Sequence, residues 1–415
     1  MGPGFSHLDE ELGLLPSSFT PSLVERMVRL GTWLSFEPAA QMVAYFTHTD
    51  VSRPTLQRTT EAAGAAYVAV QTAQVVALEQ ELPAAPCGPT VMQVSVDGAM
   101  VPLLGGQWAE VKTLAVGTVA PPSYNPKTGA GEVHTQDLSY FSRLADAETF
   151  TRLATVETQR RGVATAALVC GVVDGAEWCQ GFLDWHRPDA VRILDFPHGV
   201  EHLASAAQAS FGAGTTATTT WLGEQAHTLQ HGDPAVVLAA LRGLPVAQAT
   251  HPEAAAQARD GTLRYLEQRW EQIQYAQFPA QGYPIGSGCV ESANKLVVEA
   301  RLKGAGMHWA REHVNPLVAL RTIACADRWE EAWPQMVAQL RAEARQRQRA
   351  RRQRRVVPPP PAHTLPVVRQ GAVRRRPPQP TTAKTIVNGR PTAAHPWKQP
   401  LLAGGRAHNA SRAKL

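Results

Sequence analysis

Two short motifs in this chain place a carboxylate directly before glycine and alanine: Asp97-Gly98-Ala99 and Asp174-Gly175-Ala176. A third acid, Glu291, sits early in a helical pattern within "GSGCVESANKLVVEARLKGAGMHW", residues 286–309. Three carboxylates from separate elements supply the hard oxygen ligands that Mg²⁺ requires, with waters and substrate phosphates filling the remaining positions. A pair of such ions about 3.5–4 Å apart activates the attacking oxygen and stabilises the leaving oxygen of a phosphodiester. If the strands ending at Asp97 and Asp174 are neighbours, about 4.8 Å apart, their carboxylates can share an ion. Asp195, one strand further out at about 10 Å, is then a supporting residue together with His198. A second reading starts from "LDFPHGVEHL", residues 194–203, where His198, Glu201 and His202 spell H-x-x-E-H. That spelling is a zinc-peptidase signature when it lies in a helix with a third ligand nearby.

The elements that must position these residues are legible from periodicity. "TVMQVSVDGAMVPL" puts Met92, Val94 and Val96 on one face and Gln93, Ser95 and Asp97 on the other, so a strand ending on Asp97 is expected. "QWAEVKTLAVGTVA" follows as its hairpin partner, and "HTQDLSYF", residues 134–141, as a third strand. A helix is expected over 145–161. Strands 166–173 and 190–194, joined by a helix beginning near Trp178, make a βαβ unit and so a parallel pair. Residues 199–280 carry only helical signals, with breaks at Gly212-Ala-Gly214 and Pro245. Ser287 is placed to cap the Glu291 helix, leaving the carboxylate near the positive end of the helix dipole. On an ideal wheel Asn294, Lys295 and Arg301 fall within about a third of a turn of Glu291, a stripe suited to DNA phosphates. Glu299, the competing acid, points about 80° away.

Ahead of the first strand, residues 17–63 read as three short helices, with Leu23, Met27, Leu30 and Leu34 apolar in the first. The second is expected to start after Ser35 and to bury Phe36, Met42, Val43 and Phe46. The third starts at Ser52 and exposes Arg53, Gln57 and Arg58 around Leu56. Three compact helices with basic and amide groups on the last suit a helix-turn-helix reader of DNA; an ordinary helical bundle fits the same pattern.

The chain has 415 residues, enough for two or three domains, and no run of apolar residues long enough to span a membrane. No secretory signal opens it, and its five cysteines show no C-x-x-C spacing, so a reducing cytosol is expected. The net charge of +5 hides an asymmetry, for residues 341–415 hold 18 of the 40 Lys and Arg but only one of the 35 acids. The body is therefore about −12 and the tail about +17, which points to a polyanionic partner. "RQRQRARRQRR" and the Pro-rich stretch after it cannot bury enough apolar surface to order themselves. The expected divisions are a helical domain at 1–64, a helical linker at 65–90, a core at 91–198 and 282–335 interrupted by a helical insertion at 199–281, and a basic disordered tail at 340–415.

The D-G-A motifs, "DGAEW", "ILDFPHGVEHL" and above all the 286–309 block resemble ISKra-type insertion-sequence transposases, of the Mutator-like branch of DDE transposases. The likeness runs from about Asp9 to Trp333, and "AAHPWKQ" near the C-terminus fits too. It implies an α/β ribonuclease-H-like core, a mixed sheet with flanking helices, whose helical insertion precedes the catalytic-Glu helix. It also implies an acidic triad of Asp97, Asp174 and Glu291 binding two Mg²⁺ or Mn²⁺. Asp195-x-x-His198 matches the branch's Cys/Asp-x-x-His signature. Relatives often carry a Cys-rich zinc-binding stretch before the N-terminal helices; this chain shows none, and a truncation or a shorter subgroup is expected. The implied activity is hydrolysis at the ends of an insertion sequence and strand transfer into target DNA, by a homo-oligomer in the bacterial cytoplasm at the nucleoid. Arg53, Gln57, Arg58, Lys295, Arg301, Lys303 and Arg311 are candidates for DNA contact. Trp309 is a base-stacking candidate or a core residue. A catalytically silent, transposase-derived DNA-binding protein is the alternative from another class, and a zinc hydrolase built on His198, Glu201 and His202 a third.

Overall fold

The structure is a computed structural model that describes residues 19–125 and 130–356, with the short pairs 386–387 and 390–391. Most of the expected basic tail, from 357 on, lies outside the described residues. The chain divides into two units at Arg354 and Arg355; in the second, Ile386–Val387 pairs antiparallel with Arg390–Pro391. Among the described residues no helix is long and apolar enough to cross a membrane.

The core is a mixed five-stranded sheet flanked by helices. Strands β1 (Val91–Pro102), β2 (Trp108–Val119), β3 (Thr135–Arg143), β4 (Leu168–Val173) and β5 (Val191–Leu194) lie in the order β3-β2-β1-β4-β5. β1, β2 and β3 form an antiparallel meander, while β4 and β5 add parallel to β1. Helix α4 (Ala147–Arg160) leads into β4, and α5 (Glu177–His186) makes the β4-α5-β5 crossover. The alternation in β1 decides its two faces. Met92, Val94 and Val96 pack with Phe141, Phe150 of α4 and Phe182 of α5. Each of these fully buried rings contributes about 2–3 kcal/mol of transfer free energy. The opposite face is not left to water: Gln93 and Ser95 are buried too, because the Glu291 helix lies across it.

One difference from the periodicity reading matters for the site. β1 does not stop at Asp97 but continues to Pro102, held by antiparallel pairing with β2 out to Pro102↔Trp108. What ends near Asp97 is the parallel ladder, whose last pair is Val94↔Gly171.

The N-terminal helices are α1 (Pro21–Trp33), α2 (Phe36–Thr47) and α3 (Arg53–Gln80). Thr20 and Ser52 cap the first and third through their hydroxyls, each just before Pro at the helix start. Ser35 occupies the cap position of α2 without a side-chain bond. α3 runs unbroken through the expected boundary at 64/65, with Gly64 buried inside the helix and Tyr67 and Val75 buried beyond it. Gly64 sits where a Cβ would meet the backbone of Pro316 at 2.2 Å, so α3 and the helix that follows the site are in close contact. In α2, Met42 and Phe46 are 42% and 68% exposed rather than buried; the covered stripe runs through Phe36, Ala39, Ala40 and Val43 instead.

Between β5 and the Glu291 helix stand α6 (Phe196–Phe211), α7 (Thr216–His231), α8 (Pro234–Arg242) and α9 (Pro252–Glu267). Leu203, Leu229, Leu238 and Leu266 from these helices pack with Val172 and Ile193, seating the bundle on the β4–β5 edge of the sheet. Then α10 runs from Gly288 to Leu302, with a π-helical stretch over Asn294–Glu299, followed by α11 (Arg311–Cys325) and α12 (Trp329–Val356).

Candidate active site

Three acids lie just past the last pairs of the parallel ladders, Asp97 within β1 and Asp174 and Asp195 directly after β4 and β5. Val94 pairs with Gly171 and Val173 with Leu194, so three residues past the first pair and one past the second, Asp97, Asp174 and Asp195 stand in register across β1, β4 and β5. Neighbouring positions in such a row are about 4.8 Å apart between strands. Asp97 and Asp174 are therefore immediate neighbours, and Asp195 lies one strand beyond.

Asp97 is held at both oxygens. Oδ1 accepts the Gly98 N–H at 2.7 Å, and Oδ2 accepts Asn294 Nδ2 at 2.8 Å. Asn294 is one helical turn from Glu291 on α10, so this bond brings Glu291 to Asp97 as well. Burial raises the Asp97 carboxyl above its ordinary range; the Gly98 and Asn294 bonds oppose this, and the charges of Asp174 and Glu291 add to the rise. Asp174 Oδ1 accepts the Ala176 N–H at 2.9 Å and the Cys179 thiol at 3.3 Å. Burial, and next the Asp174 charge, push that thiol far above the usual thiol range, so it stays a neutral donor.

Both Asp-Gly pairs have steric reasons. A Cβ at Gly98 would meet Glu110 Oε1 at 2.2 Å, and Gly175, at φ +80°, would meet Tyr265 Oη at 2.5 Å and Arg269 Nε at 2.7 Å. The second pair is gripped by the helical insertion. Tyr265 donates to the Asp174 carbonyl at 2.6 Å, and Arg269 donates to the Gly175 carbonyl at 2.7 Å. Burial raises the Tyr265 phenol to about 12, keeping it a donor at neutral pH.

Asp195 explains its own motif. It is the N-cap of α6, and its Oδ2 accepts the N–H of His198, so the x-x spacing is that of a capping residue and the third residue of its helix. Its Oδ1 accepts the Ser287 N–H at 2.6 Å, while the Phe196 N–H donates to the Ile285 carbonyl at 3.0 Å. One buried carboxylate thus ties β5 to the entry of α10. Ser287 caps α10 only by position: its side chain makes no cap bond.

His198 and His202 share a face of α6, ring centroids 5.0 Å apart, but His202 lies flat on Tyr265 at 3.8 Å. Burial holds His202 below the usual imidazole range. Its stacking packs it against the Tyr265 grip, and among the described residues no third His, Cys, Asp or Glu joins the two histidines in a metal-binding group.

The other sequence-derived residues divide by exposure. Lys295, Lys303 and Arg311 face solvent, Lys303 bonded to Glu299 at 2.7 Å. Arg53 and Arg58 are exposed, whereas Gln57 is half-buried and donates to Glu61. Arg301 is a correction: it is 2% exposed, donates to the Gly31 carbonyl at 3.2 Å, and lies over the rings of Phe36 and Trp309. The π-helical stretch is the reason, since wider i→i+5 bonding shifts the helix phase and carries Arg301 off the stripe an ideal wheel gives it. Trp309 is a core residue, with its indole N–H on the Leu302 carbonyl at 2.9 Å. Residues that spacing did not single out are Lys112, Cys179, Tyr265 and Arg269. Lys112 is buried, bonded to Glu110 and 5.1 Å from the Trp178 ring, opposite Gly98 in the β1–β2 register.

The donor set at this edge is carboxylate and amide oxygen, which suits Mg²⁺ or Mn²⁺. Asn294 Oδ1 is buried beside Asp97 with no hydrogen-bond partner, an orphaned hard donor. As the side chains stand, no three His, Cys, Asp or Glu groups among the described residues close around a single point. The acids are neighbours rather than a finished cage. No family model matches this chain, and no curated protein matches it either.

Proposed function

We propose that the protein is a DNA transposase of the DDE type, with a ribonuclease-H-like core and an N-terminal helix-turn-helix-like region. It would cut phosphodiesters at insertion-sequence ends and join the freed 3′-hydroxyl to target DNA. The observation that carries this reading is the row of Asp97 and Asp174 on adjacent strands, joined to the Glu291 helix by the Asn294–Asp97 bond. Two Mg²⁺ or Mn²⁺ ions held by Asp97, Asp174 and Glu291 would lower the pKa of the attacking water and stabilise the leaving oxygen. Asn294 and the Gly98 N–H keep Asp97 aimed at the edge. Tyr265, Arg269 and Cys179 fix the Asp174 turn, and Asp195 fixes the start of α10. Lys295, Lys303 and Arg311 present cations along the outer face of the same region for strand phosphates, while Arg53 and Arg58 do so at the head of α3.

The open arrangement of the acids favours one competing reading, a silent DNA-binding derivative with the same folded features. Labelled duplex carrying the ends of the encoding element, incubated with Mg²⁺ or Mn²⁺, separates the two. Metal-dependent nicks leaving 3′-hydroxyls, lost in Asp97→Asn, Asp174→Asn and Glu291→Gln, support the transposase. Tight end binding without any nick supports the silent form.

A further inference from the structure

A cavity of about 410 Å³, lined by none of the acids of the row, lies between the heads of α2 and α3 and the 304–310 turn. Its lining includes Phe36, Arg53, Arg301, His308, Trp309 and His313. Arg301 is the unusual member. It is 2% exposed, forms no ion pair with any acid among the described residues, and its Nη2 is buried without a hydrogen-bond partner. Burial, and then the neighbouring Arg321, lower it to about 10. A desolvated guanidinium with an unused donor is costly unless an anion completes it. The nearby acids do not do so: Glu61 is taken by Gln57 and by His313, at 2.9 Å each, and Glu37 is exposed at the cavity wall. The guanidinium lies over the rings of Phe36 and Trp309 at 4.7 and 5.2 Å, which hold the fork in place at the cavity wall.

We propose that this cavity binds a phosphate group of a nucleic-acid strand, with Arg301 as the buried fork and Arg53 at the mouth. The volume exceeds a bare phosphate and falls in the range of small-ligand sites, which leaves room for the attached nucleotide. Arg301 lies ten residues beyond Glu291 on the same helix, roughly 15 Å at 1.5 Å per residue. A strand anchored here therefore reaches the acid row within a few nucleotides. The anion site stands on the cavity alone; its assignment to a DNA strand rests on the transposase reading.

The test measures binding of a fluorescent 5′-phosphorylated hexathymidylate to the full chain in EDTA and about 0.3 M salt, where sequence-blind electrostatic binding is suppressed. Pyrophosphate serves as competitor. Arg301→Lys keeps the charge but loses the fork, and is expected to weaken binding about tenfold. Arg53→Ala, at an exposed position whose loss leaves the core intact, is expected to weaken it severalfold. Pyrophosphate is expected to displace the strand from the wild type. Unchanged affinity in Arg53→Ala and in a folded Arg301→Lys overturns the proposal, as does pyrophosphate binding that the oligonucleotide does not contest. Because no metal is present, the result is independent of cleavage. Strand binding without any nicking activity sinks the transposase reading and leaves the cavity; nicking with no effect of either variant on strand binding does the reverse.

Discussion

Asp97 is the residue on which the local electrostatics converge. Its carboxyl is raised by burial and by two further acids, so its ionised form is a burden on the folded chain without a cation. A raised carboxyl contributes stability below its unfolded pKa and loses it as pH climbs through the folded value. Asp97→Asn removes that loss. The new amide can keep the Gly98 bond and donate to Asn294 Oδ1 after an amide flip, which leaves the Asn294 amide nitrogen in the partnerless position. In EDTA at neutral pH, calorimetry is expected to give a higher Tm for Asp97→Asn than for wild type, the gap closing as pH falls and also on adding Mg²⁺, while nicking is abolished. A lower Tm at every pH would contradict the electrostatic account. Asp195 makes a contrasting prediction. Asn supplies one oxygen where two bonds are received, from His198 and Ser287, so Asp195→Asn is expected to cost about 1–2 kcal/mol in denaturant melts. Nicking is expected to fall but remain measurable, unlike the complete loss in Asp174→Asn. The D-x-x-H spacing was visible in the chain; its meaning was not, because the second partner, Ser287, lies far along the sequence.

At the scale of elements, strand alternation and the βαβ pattern carried real information, placing the five strands of the sheet and the parallel β4–β5 pair, whereas the adjacency of the Asp97 and Asp174 strands was only a condition that the sheet order meets. What failed was phase. A continuous antiparallel partner carried β1 past Asp97, and the π-helical stretch rotated Arg301 into the core; neither leaves a periodicity signal, since each depends on what packs against the element. In α2 the apolar side chains of Met42 and Phe46 outnumbered what the neighbouring helices cover, so hydropathy alone misassigned its inner face. The helical insertion was legible as helices but not as a clamp. Tyr265→Phe removes the donor to the Asp174 carbonyl while keeping the ring that stacks on His202. The expected result is a kcat reduced more than tenfold with a Tm loss of only about 1 kcal/mol equivalent; equal nicking rates would show that the grip is packing alone. Deleting one residue within 294–299 is expected to restore α-helical phase, turn Arg301 and Leu302 out of their sites, and unfold the chain or lower its Tm sharply.

For the whole molecule the ruling feature is charge placement. The body is acidic in sum, Lys295, Lys303, Arg311, Arg53 and Arg58 are among the cations that face solvent on it, and 18 cations are concentrated beyond residue 340. Eight of them are arginines within 341–355, on α12, so the first part of the expected disordered tail is helical, and ten follow in 357–415. Each phosphate neutralised releases condensed counterions, so the salt dependence of binding counts contacts. Ending the chain after Val356 removes those ten cations and keeps every described residue of the first unit. The expected outcome is a clearly shallower plot of log K against log salt and a large loss of affinity for random duplex at low salt. On the transposase reading, discrimination between element ends and random DNA should survive or rise, because the proposed sequence reader is the N-terminal helices rather than the tail. Fluorescence anisotropy over a salt series, on matched specific and random duplexes, measures both quantities. A slope that stays unchanged after truncation would place the phosphate contacts on the folded body, and the acidic surface there would then have to be explained by some partner other than DNA.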